Sequence, residues 1–419
     1  MIVLRLALRS LLNRWGMVLM TIACIALSVS LLVGVEKVRT SARASFAGTI
    51  SGTDLIMGAR SGNVQLLLYS IFHVGEATNN VTWTTYNEIA NRPEIRWIIP
   101  LSLGDSHRGF RVVGTTGDYF EHLRYGDDQS LSFAAGAPFS DLFDAVIGAD
   151  VAAALGYEVG TSLALAHGTG SVALVEHADL PFRVSGTLSR TGTPVDKSVL
   201  IVLEAIEAIH VDWRSGAPPT SQGTPVDVLR GMDLTPRSIT AALLGLNSPI
   251  ETFSVQRFIN QYPDEALTAL LPGMSLLELW SIMEVAETGL RIVTVLVVVA
   301  ALLGMLTTIL AMLNERRREM AILRAVGAAP RHIFGLLILE TTIMGLFGSV
   351  LGMALAYGVL WISGPWINRA FGLSLPLAAP TQVEWVFALG TVGAALLAGL
   401  IPAIRAYRNS LADGISIRT

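Results

Sequence analysis

Four stretches of the chain lack Asp, Glu, Lys and Arg over about the thickness of a bilayer, namely residues 17–35, 292–313, 341–363 and 385–404. A membrane-spanning helix needs about 20 consecutive apolar residues, so each stretch predicts one transmembrane helix. The chain is 52% hydrophobic and only 15% charged, which argues against a soluble enzyme. Its single cysteine, Cys24, excludes a disulfide framework and a multi-cysteine metal site.

The first apolar stretch has an alternative interpretation as a cleaved signal peptide. Ala42, Arg43 and Ala44 match the small-x-small pattern of a cleavage site. The stretch is longer, however, than the apolar region of about 7 to 15 residues that a signal peptide carries. Its length therefore favours a helix that stays in the membrane.

Charged residues are divided unevenly along the chain. Residues 36–291 hold 28 acidic and 17 basic residues, a balance of −11, whereas the rest of the chain holds 5 acidic and 12 basic residues. Arginines cluster before the first span, in the loop 314–332 and in the tail 405–419, while the loop 364–384 has only Arg369. Because basic flanks stay on the cytoplasmic side, we expect both termini inside the cell and the two acidic or weakly basic segments outside. The net charge of −4 also argues against a general role in nucleic-acid binding.

The fold class predicted from these patterns is an α-helical membrane protein with four transmembrane helices and a mixed α/β extracytoplasmic domain inserted between the first and second. The expected organisation is a cytoplasmic amphipathic helix at 1–16, spans at 17–35, 292–313, 333–363 and 385–404, an outer domain with stalk helices at 36–291, a cytoplasmic coupling helix at 314–332, an outer loop at 364–384 and a cytoplasmic tail at 405–419. For residues 1–16, the alternative is a simple positively charged flank without a helix on the membrane surface.

Short apolar runs bounded by Gly, Asp or Pro predict strands in the outer domain, at residues 111–113, 172–175, 182–184 and 199–203. Ala-rich spacing predicts short helices at 145–155 and 203–210. From residue 275 to 313 the chain has no proline, and its apolar positions recur every three or four residues. This pattern predicts one long helix that continues the second span into the outer domain as a stalk.

The loop after the second span has the most distinctive sequence, NERRREMAILRAVGAAPRHIF. Charges crowd its first half, an apolar face follows, Gly327 is a stop signal and Pro330 is a new helix start. We expect a short amphipathic helix that docks in a groove of a cytoplasmic partner. A plain positive-inside anchor explains the arginines but not the acidic residues or the ordered apolar face. The candidate coupling residues are Glu315, Arg316, Arg317, Glu319, Met320, Leu323, Arg324 and Gly327.

These residues carry a family resemblance. The run ERRREMAILRAVGA followed by a span resembles the signature of the FtsX-like permeases of ABC transporters, a mechanotransmission class. The runs VVGTTGDYFEHL, AVIGADVAAALG and FRVSGTLSRTGTPVDKSVLIVLEAIEAI resemble the outer domain of the macrolide-exporter type, and IPAIRAYRNSLADGI is similar to the closing segment of the family. The resemblance implies a dimer of four-helix permeases whose coupling helix contacts a cytoplasmic ABC ATPase.

The chain shows no phosphate loop of its own. Its nearest approach is GTPVDKS at 192–198, where Asp196 replaces the glycine that should precede the lysine. We therefore expect a turn there, and no cofactor bound by this chain. Macrolide exporters carry the ATPase on the same polypeptide, and that portion is absent from this sequence, so ATP and Mg²⁺ are expected on a separate partner.

Catalysis and metal binding are the competing functions. GxSxG and HExxH are absent, which argues against a membrane hydrolase. His167 and His177 flank an expected hairpin and could hold a metal, although scattered surface histidines are the simpler explanation. The run GARSGNVQLLLYSIFH, which ends at His73, resembles a branch of these permeases associated with zinc-linked transport systems. His73 is therefore the third metal candidate.

Two features inside the third span have open interpretations. Glu340 is either a functional group in the membrane or a side chain at interface depth near Arg331. Gly348 and Gly352 form a GxxxG pattern that permits close helix contact, either within one chain or at a dimer seam.

The function expected from all of this is the permease subunit of an ABC transporter in the inner membrane, which couples ATP hydrolysis by a partner to movement of its outer domain. The expected partners are the ATPase, a second permease copy in a homodimer, a periplasmic adaptor or binding protein, and the lipid bilayer. The alternative function is that of a regulatory scaffold that controls an extracytoplasmic hydrolase without moving cargo.

Overall fold

The computed structural model describes residues 2–168, 179–212, 223–315, 322, 327–371 and 378–412. The chain forms two units. A helical unit contains Met1–Ser41, Glu284–Trp366 and Leu375–Thr419, and a domain unit contains Ala42–Met283 and Ile367–Ser374.

Twelve α-helices are present in the described part of the chain: α1 (Ile2–Asn13), α2 (Trp15–Gly48), α3 (Asn63–Ile71), α4 (Trp83–Ala90), α5 (Asp118–His122), α6 (Ala149–Leu155), α7 (Leu203–His210), α8 (Val226–Leu229), α9 (Thr252–Asn260), α10 (Pro272–Glu315), α11 (Pro330–Phe371) and α12 (Gln382–Ala412). Two short 3₁₀ helices lie at Pro194–Lys197 and Pro249–Glu251.

Fifteen strands are present in the same described ranges: β1 (Leu55–Ala59), β2 (Val81–Thr82), β3 (Ile95–His107), β4 (Phe110–Thr115), β5 (Arg124–Tyr125), β6 (Gln129–Ser130), β7 (Phe133–Gly136), β8 (Asp144–Ile147), β9 (Ser162–Leu163), β10 (Ala166–His167), β11 (Phe182–Leu188), β12 (Ser198–Val202), β13 (Ser238–Ile239), β14 (Ala241–Leu246) and β15 (Leu267–Leu270).

The helices α2, α10, α11 and α12 are long and apolar enough to cross a membrane. Each predicted span lies inside one of them, so the prediction of four transmembrane helices is confirmed. The long helix predicted from 275 to 313 is also confirmed, because α10 runs unbroken over 44 residues. The helices continue past the predicted spans, so the membrane boundaries themselves stay predictions.

Glycines bring the helices of the helical unit into close contact. A Cβ on Gly348 would lie 2.6 Å from Ile25 of α2, and one on Gly352 would lie 2.7 Å from the Ala26 carbonyl oxygen and from Val29. The GxxxG pattern of α11 therefore packs against α2 of the same chain, which decides between the two interpretations of that pattern. Glu340 is 6% exposed, so it is buried in this unit rather than extended to an aqueous surface.

The domain unit is built on one large mixed sheet with the strand order β15-β1-β14-β3-β4-β12-β8-β11-β7. Strand β12 runs parallel to β4, and β11 runs parallel to β8, whereas the other pairs are antiparallel. Neighbouring residues of β1 belong to different cores, since Ile56 lies in one and Leu55 and Met57 lie in another. The sheet is therefore covered on both faces, and the mixed α/β prediction is confirmed.

Most of the predicted local elements match the structure. Residues 111–113, 182–184 and 199–202 lie in strands, and 203–210 is helical, whereas 172–175 lies outside the described residues. The helix predicted at 145–155 is wrong in its first part, because Asp144–Ile147 forms β8 and only Ala149–Leu155 is helical. The run Ala145–Ile147 is apolar at every position, because β8 is buried throughout and lies between β11 and β12. A short apolar run without polar alternation cannot be assigned to strand or helix by its periodicity.

The domain ends of α2 and α10 pack into the domain core. Phe46 of α2 contacts Trp280 of α10 edge to face, with ring centroids 5.5 Å apart, and contacts Phe72 at 4.6 Å. Leu276 of α10 is buried in the same core. Aromatic contacts of this kind add to the stabilisation that burial provides. Both long helices are therefore anchored in the domain unit at one end.

Candidate functional sites

The predicted coupling segment follows the described part of α10. That part reaches Glu315, and α11 begins at Pro330, as the proline predicted. Gly327 has φ +98°, a left-handed conformation that favours glycine. The other candidate coupling residues lie outside the described residues, namely Arg316, Arg317, Glu319, Met320, Leu323 and Arg324.

A charge network joins α2 and α10 where the predicted spans border the segment 36–291. The Arg39 guanidinium donates to both carboxylate oxygens of Glu36, at 2.6 and 3.1 Å. Arg39 also lies 3.5 Å from Glu287 of α10, and Arg291 of α10 lies 4.0 Å from Glu36. Glu36 is only 5% exposed, so these ion pairs lie largely out of water.

A second network joins α2, α11 and α12. Lys37 Nζ lies 3.6 Å from Glu384 Oε1, and their side chains are 5% and 0% exposed. The Tyr357 hydroxyl donates to Glu384 Oε2 at 2.6 Å, and Lys37 Nζ donates to the Ala378 carbonyl oxygen at 3.3 Å. The lysine also lies 5.3 Å from the centre of the Tyr357 ring, a cation–π contact.

These two networks can hold the helices in discrete arrangements. A buried carboxylate that loses its cation costs several kcal/mol, so the contacts of α2 with α10 and α12 resist a displacement that would break these pairs. Ionisable groups inside a bundle of spans are often functional. The contacts of Glu36, Lys37 and Arg39 link α2 to the other three long helices, α10, α11 and α12.

Sequence reasoning did not select Glu36, Lys37, Tyr357 or Glu384. Glu36 and Lys37 directly follow the first charge-free stretch, and Glu384 directly precedes the fourth. Residues in such positions look like ordinary hydrated flanks. The available signal was that opposite charges border two spans at ends expected on the same side of the membrane, and a search for such pairs would have found Lys37 and Glu384.

His73 lies in contact with Ser198. It is half-buried and has φ +54°, and its Nδ1 lies 3.0 Å from Ser198 Oγ. Because that hydroxyl also donates to the Pro194 carbonyl oxygen, the histidine is the donor in the contact. Burial, aided by the charge of Arg111, lowers the pKa of His73 to about 4. His73 belongs to none of the three-ligand groups found among the described residues.

His167 lies in a cluster that sequence reasoning did not predict. Its Nδ1 is 2.9 Å from Asp105 Oδ1, and its Nε2 is 3.0 Å from Nε2 of His210. The expected companion, His177, lies outside the described residues. His210 and Asp105 are 43 and 62 residues from His167 in sequence, and only the pairing of β10 with β3 and the position of α7 bring them together.

The loop GTPVDKS is closed by its own aspartate. Asp196 accepts hydrogen bonds from the backbone amides of Thr191 at 2.8 Å and Gly192 at 2.7 Å. Burial raises the pKa of Asp196, and these hydrogen bonds oppose the rise. The amides that would face a phosphate in a nucleotide-binding loop are therefore occupied by a side chain of the same segment.

Two family models match separate parts of the chain. The FtsX-like permease C-terminal model matches residues 291–411, and the MacB-like periplasmic core domain model matches residues 18–222. The first match covers the second half of α10, all of α11, nearly all of α12 and the segment between α10 and α11. The second covers α2 and most of the sheet.

Individual relatives agree with these models. ABC transporter permease YtrF of Bacillus subtilis is 24% identical over 30% of this chain and 31% of its own length. The macrolide export ATP-binding/permease protein MacB of Wolinella succinogenes is 23% identical over 55% of this chain and 33% of its own length. The chain thus spans about a third of the length of these relatives.

Among solved structures, the periplasmic region of MacB from Actinobacillus actinomycetemcomitans is similar over 54% of this chain and 92% of that region, with 11% identity and a TM-score of 0.34. The two family models, four apolar helices and an α/β domain inserted after the first of them all describe one architecture. The chain belongs to the FtsX-like permeases of ABC transporters that carry a MacB-like periplasmic core domain.

Proposed function

We propose that this chain is the membrane subunit of an ABC transporter in which ATP hydrolysis by a separate cytoplasmic ATPase moves the extracytoplasmic domain. The observation that supports this most strongly is the continuity of α10, which runs unbroken from Pro272 in the domain unit to Glu315 beside the coupling segment. An unbroken helix is stiff along its axis, and its 44 residues extend about 66 Å at 1.5 Å per residue. It can therefore transmit a displacement of one end to the other.

The first half of this path makes contacts in both units. At the domain end, Leu276 and Trp280 pack with Phe46 against the domain core, so a shift of α10 acts on the sheet rather than on a loose tether. In the helical unit, the contacts of Arg39 with Glu287 and of Arg291 with Glu36 connect α10 to α2. The two long helices would then move together, and the charge network would exchange partners between two states.

At the cytoplasmic end of the path, the proposed contact with the ATPase is made by the coupling segment. We expect Met320 and Leu323 to bury against the ATPase, while Glu319 and Arg324 set the register by charge complementarity. ATP and Mg²⁺ would bind to that ATPase. This chain would act as a non-catalytic subunit, with both termini in the cytoplasm and the protein in the inner membrane.

The remaining partners follow from the same mechanism. Two copies of the chain would face the two nucleotide sites of an ATPase dimer, which makes a homodimer the expected assembly. A periplasmic adaptor or binding protein would contact the outer domain. Cargo would be moved or extracted on the outer side and need not cross the bilayer through this chain. The zinc association of residues 58–73 stays a hypothesis about the cargo.

The deciding experiment changes Leu323 to Asp in tagged full-length protein and measures the co-purification of a nucleotide-binding subunit from membranes. The wild type should carry an ATPase with measurable hydrolysis. The variant should insert at the normal level, because its arginines are unchanged. It should lose the ATPase, since an unpaired charge in the contact costs about 3 kcal/mol of binding free energy.

The matched control is Ala325→Asp, which adds the same charge two positions further along the segment, away from the face of Met320 and Leu323. This variant should keep the ATPase. Retention of both binding and hydrolysis by Leu323→Asp, or a wild-type preparation that carries no ATPase, would contradict the proposed function.

A further inference from the structure

The helical unit has a buried carboxylate oxygen that receives no hydrogen bond from the described residues. Glu384, near the start of α12, is fully buried. The Tyr357 hydroxyl of α11 donates to its Oε2 at 2.6 Å, whereas its Oε1 has no hydrogen-bond donor in the described part of the chain. Buried polar atoms are nearly always hydrogen-bonded. Glu384 Oε1 is therefore a position at which a proton can be added without displacing an existing donor.

The cation that faces this oxygen makes only long contacts. Lys37 Nζ of α2 lies 3.6 Å from Glu384 Oε1 and makes no hydrogen bond to it. The same nitrogen donates to the Ala378 carbonyl oxygen at 3.3 Å and to the Tyr357 hydroxyl oxygen at 3.4 Å. Typical hydrogen bonds of this kind are about 2.9 Å long. Attraction between the two charges, rather than a short hydrogen bond, therefore holds Lys37 beside Glu384.

No other described cation contacts Glu384. The titratable groups in contact with it are Lys37 from α2 and Tyr357 from α11. A tyrosine is neutral near pH 7, so it donates a hydrogen bond but cannot replace a positive charge. The neighbouring charges of α2, Glu36 and Arg39, pair with each other and with two charged residues of α10. The charge of Glu384 is thus compensated by Lys37 alone among the described residues.

We propose that Glu384 is a proton-binding site, which takes up one proton when α2 moves Lys37 away from α12. This inference rests on the proposed function for that movement. A buried carboxylate that loses its cation is strongly disfavoured, and it becomes neutral by binding a proton. The proton adds to Oε1, because Oε2 already accepts the hydrogen of the Tyr357 hydroxyl.

The charges balance in both states. In the paired state the site holds one ammonium and one carboxylate, so it is neutral. In the separated state the ammonium is hydrated, the carboxylate has become a carboxylic acid, and one proton has been taken from water. The buried site is again neutral, and the protein has gained one proton.

The proton comes from the outer side of the membrane in the proposed topology. Lys37 lies just after the first charge-free stretch and Glu384 just before the fourth, and both of these ends are expected outside. Because the separated state binds one more proton, a lower external pH favours separation of α2 from α12. For one linked proton, the ratio of separated to paired molecules changes by up to about tenfold per pH unit.

The first test measures protonated carboxyl groups by infrared spectroscopy, in full-length protein in detergent near pH 7.5. Lys37→Met removes the cation permanently, so it should show one more protonated carboxyl group per chain than the wild type. That additional signal should disappear in the double variant Lys37→Met, Glu384→Gln. The matched control is Arg237→Met, which removes the cation of a surface pair with Glu207, where Arg237 is 91% exposed. This control should add no protonated carboxyl group.

The second test does not depend on the stability of Lys37→Met. Spin labels on cysteines at Leu31 of α2 and Leu389 of α12, which are both exposed, report the separation of the two helices in a Cys24→Ala background. Between pH 8 and pH 5.5, the ratio of long to short distances should rise by up to about tenfold per pH unit in the otherwise wild-type chain. With Glu384→Gln added, the distances should not change with pH.

Three results would overturn the site. The first is a folded Lys37→Met variant without an additional protonated carboxyl group, and the second is a signal that survives Glu384→Gln. The third is a distance distribution that ignores pH in the wild type or follows pH equally in Glu384→Gln. Failure of the proposed function is measured separately, as loss of ATPase co-purification, because the infrared experiment requires no ATPase.

Discussion

Lys37 and Glu384 form an ion pair with an N to O distance of 3.6 Å, in which neither side chain is more than 5% exposed. The two residues are 347 positions apart in the chain, and each lies in a different apolar helix, next to its charge-free stretch. Because both charges are withdrawn from water, the pair fixes the contact of α2 with α12 more strictly than apolar packing alone.

Removal of one partner of this pair should be much worse than removal of both. Lys37→Met leaves the Glu384 carboxylate buried without its cation, and we expect the free energy of unfolding to fall by about 3 to 5 kcal/mol. The double variant Lys37→Met, Glu384→Leu should recover most of that loss. Denaturant titrations in one fixed detergent measure the difference.

The control is the surface pair of Arg237 and Glu207, in which the Arg237 side chain is 91% exposed. Arg237→Met should change the free energy of unfolding by less than about 1 kcal/mol. Equal losses in the single and double variants of the buried pair would show that Lys37 acts through packing rather than charge.

The contact of Gly352 with α2 predicts a position-specific response to one methyl group. Gly352→Ala places a Cβ 2.7 Å from the backbone oxygen of Ala26, so the two helices must separate, at an expected cost of about 1 to 3 kcal/mol. Gly358→Ala in the same helix has nothing within 4 Å and should raise helix stability by up to about 1 kcal/mol. Melting temperatures of the two variants should shift in opposite directions, and a shared direction would argue against this packing.

Stability should depend on pH through His73. Its pKa is about 4 in the folded protein and about 6.5 when unfolded. The unfolded chain therefore binds the proton more readily between these values. The stabilisation is fully present above pH 6.5 and is lost as pH falls from 6.5 to 4, by about 3 kcal/mol in total, with no further loss below pH 4.

Unfolding of the wild type and of His73→Asn over this range measures the effect. Asparagine accepts the positive φ of residue 73 and does not titrate, so the variant should show a flatter dependence on pH. A variant whose pH dependence equals that of the wild type would assign the effect to other groups, such as the carboxylates of Asp144 and Asp196.

The proposed orientation can be tested with single cysteines in a Cys24→Ala background. Ala379 lies in the loop before α12, and Ala329 lies directly before α11. Ala379→Cys should react with a membrane-impermeant thiol reagent in cells with a permeabilised outer barrier, and Ala329→Cys should react only after lysis. The opposite result would reverse the topology.

The sequence alone determined the four apolar helices, the inserted α/β domain and the family, because these depend on features that are continuous along the chain. Absence of charge over a bilayer thickness, a proline-free helix and a run such as ERRREMAILRAVGA need no knowledge of distant residues. The sequence also predicted a turn at residues 192–198, whereas the hydrogen bonds by which Asp196 closes it appear only in the structure. The error at Ala145–Ile147 arose where local pattern is ambiguous, because strand and helix look alike in a short buried apolar run.

Only the tertiary structure decided which distant groups share a site. His210 and Asp105 meet His167 because a strand pair and a helix end converge, and Lys37 meets Glu384 because α2 packs beside α12. The same is true of Gly352, whose glycine pattern in the sequence fits a dimer seam as well as it fits the internal contact that the structure shows. The physical reason is that charge, coordination and close contact act over a few ångströms in space. A single sequence records the order of residues along the chain, and it does not record which of them the fold brings within that distance.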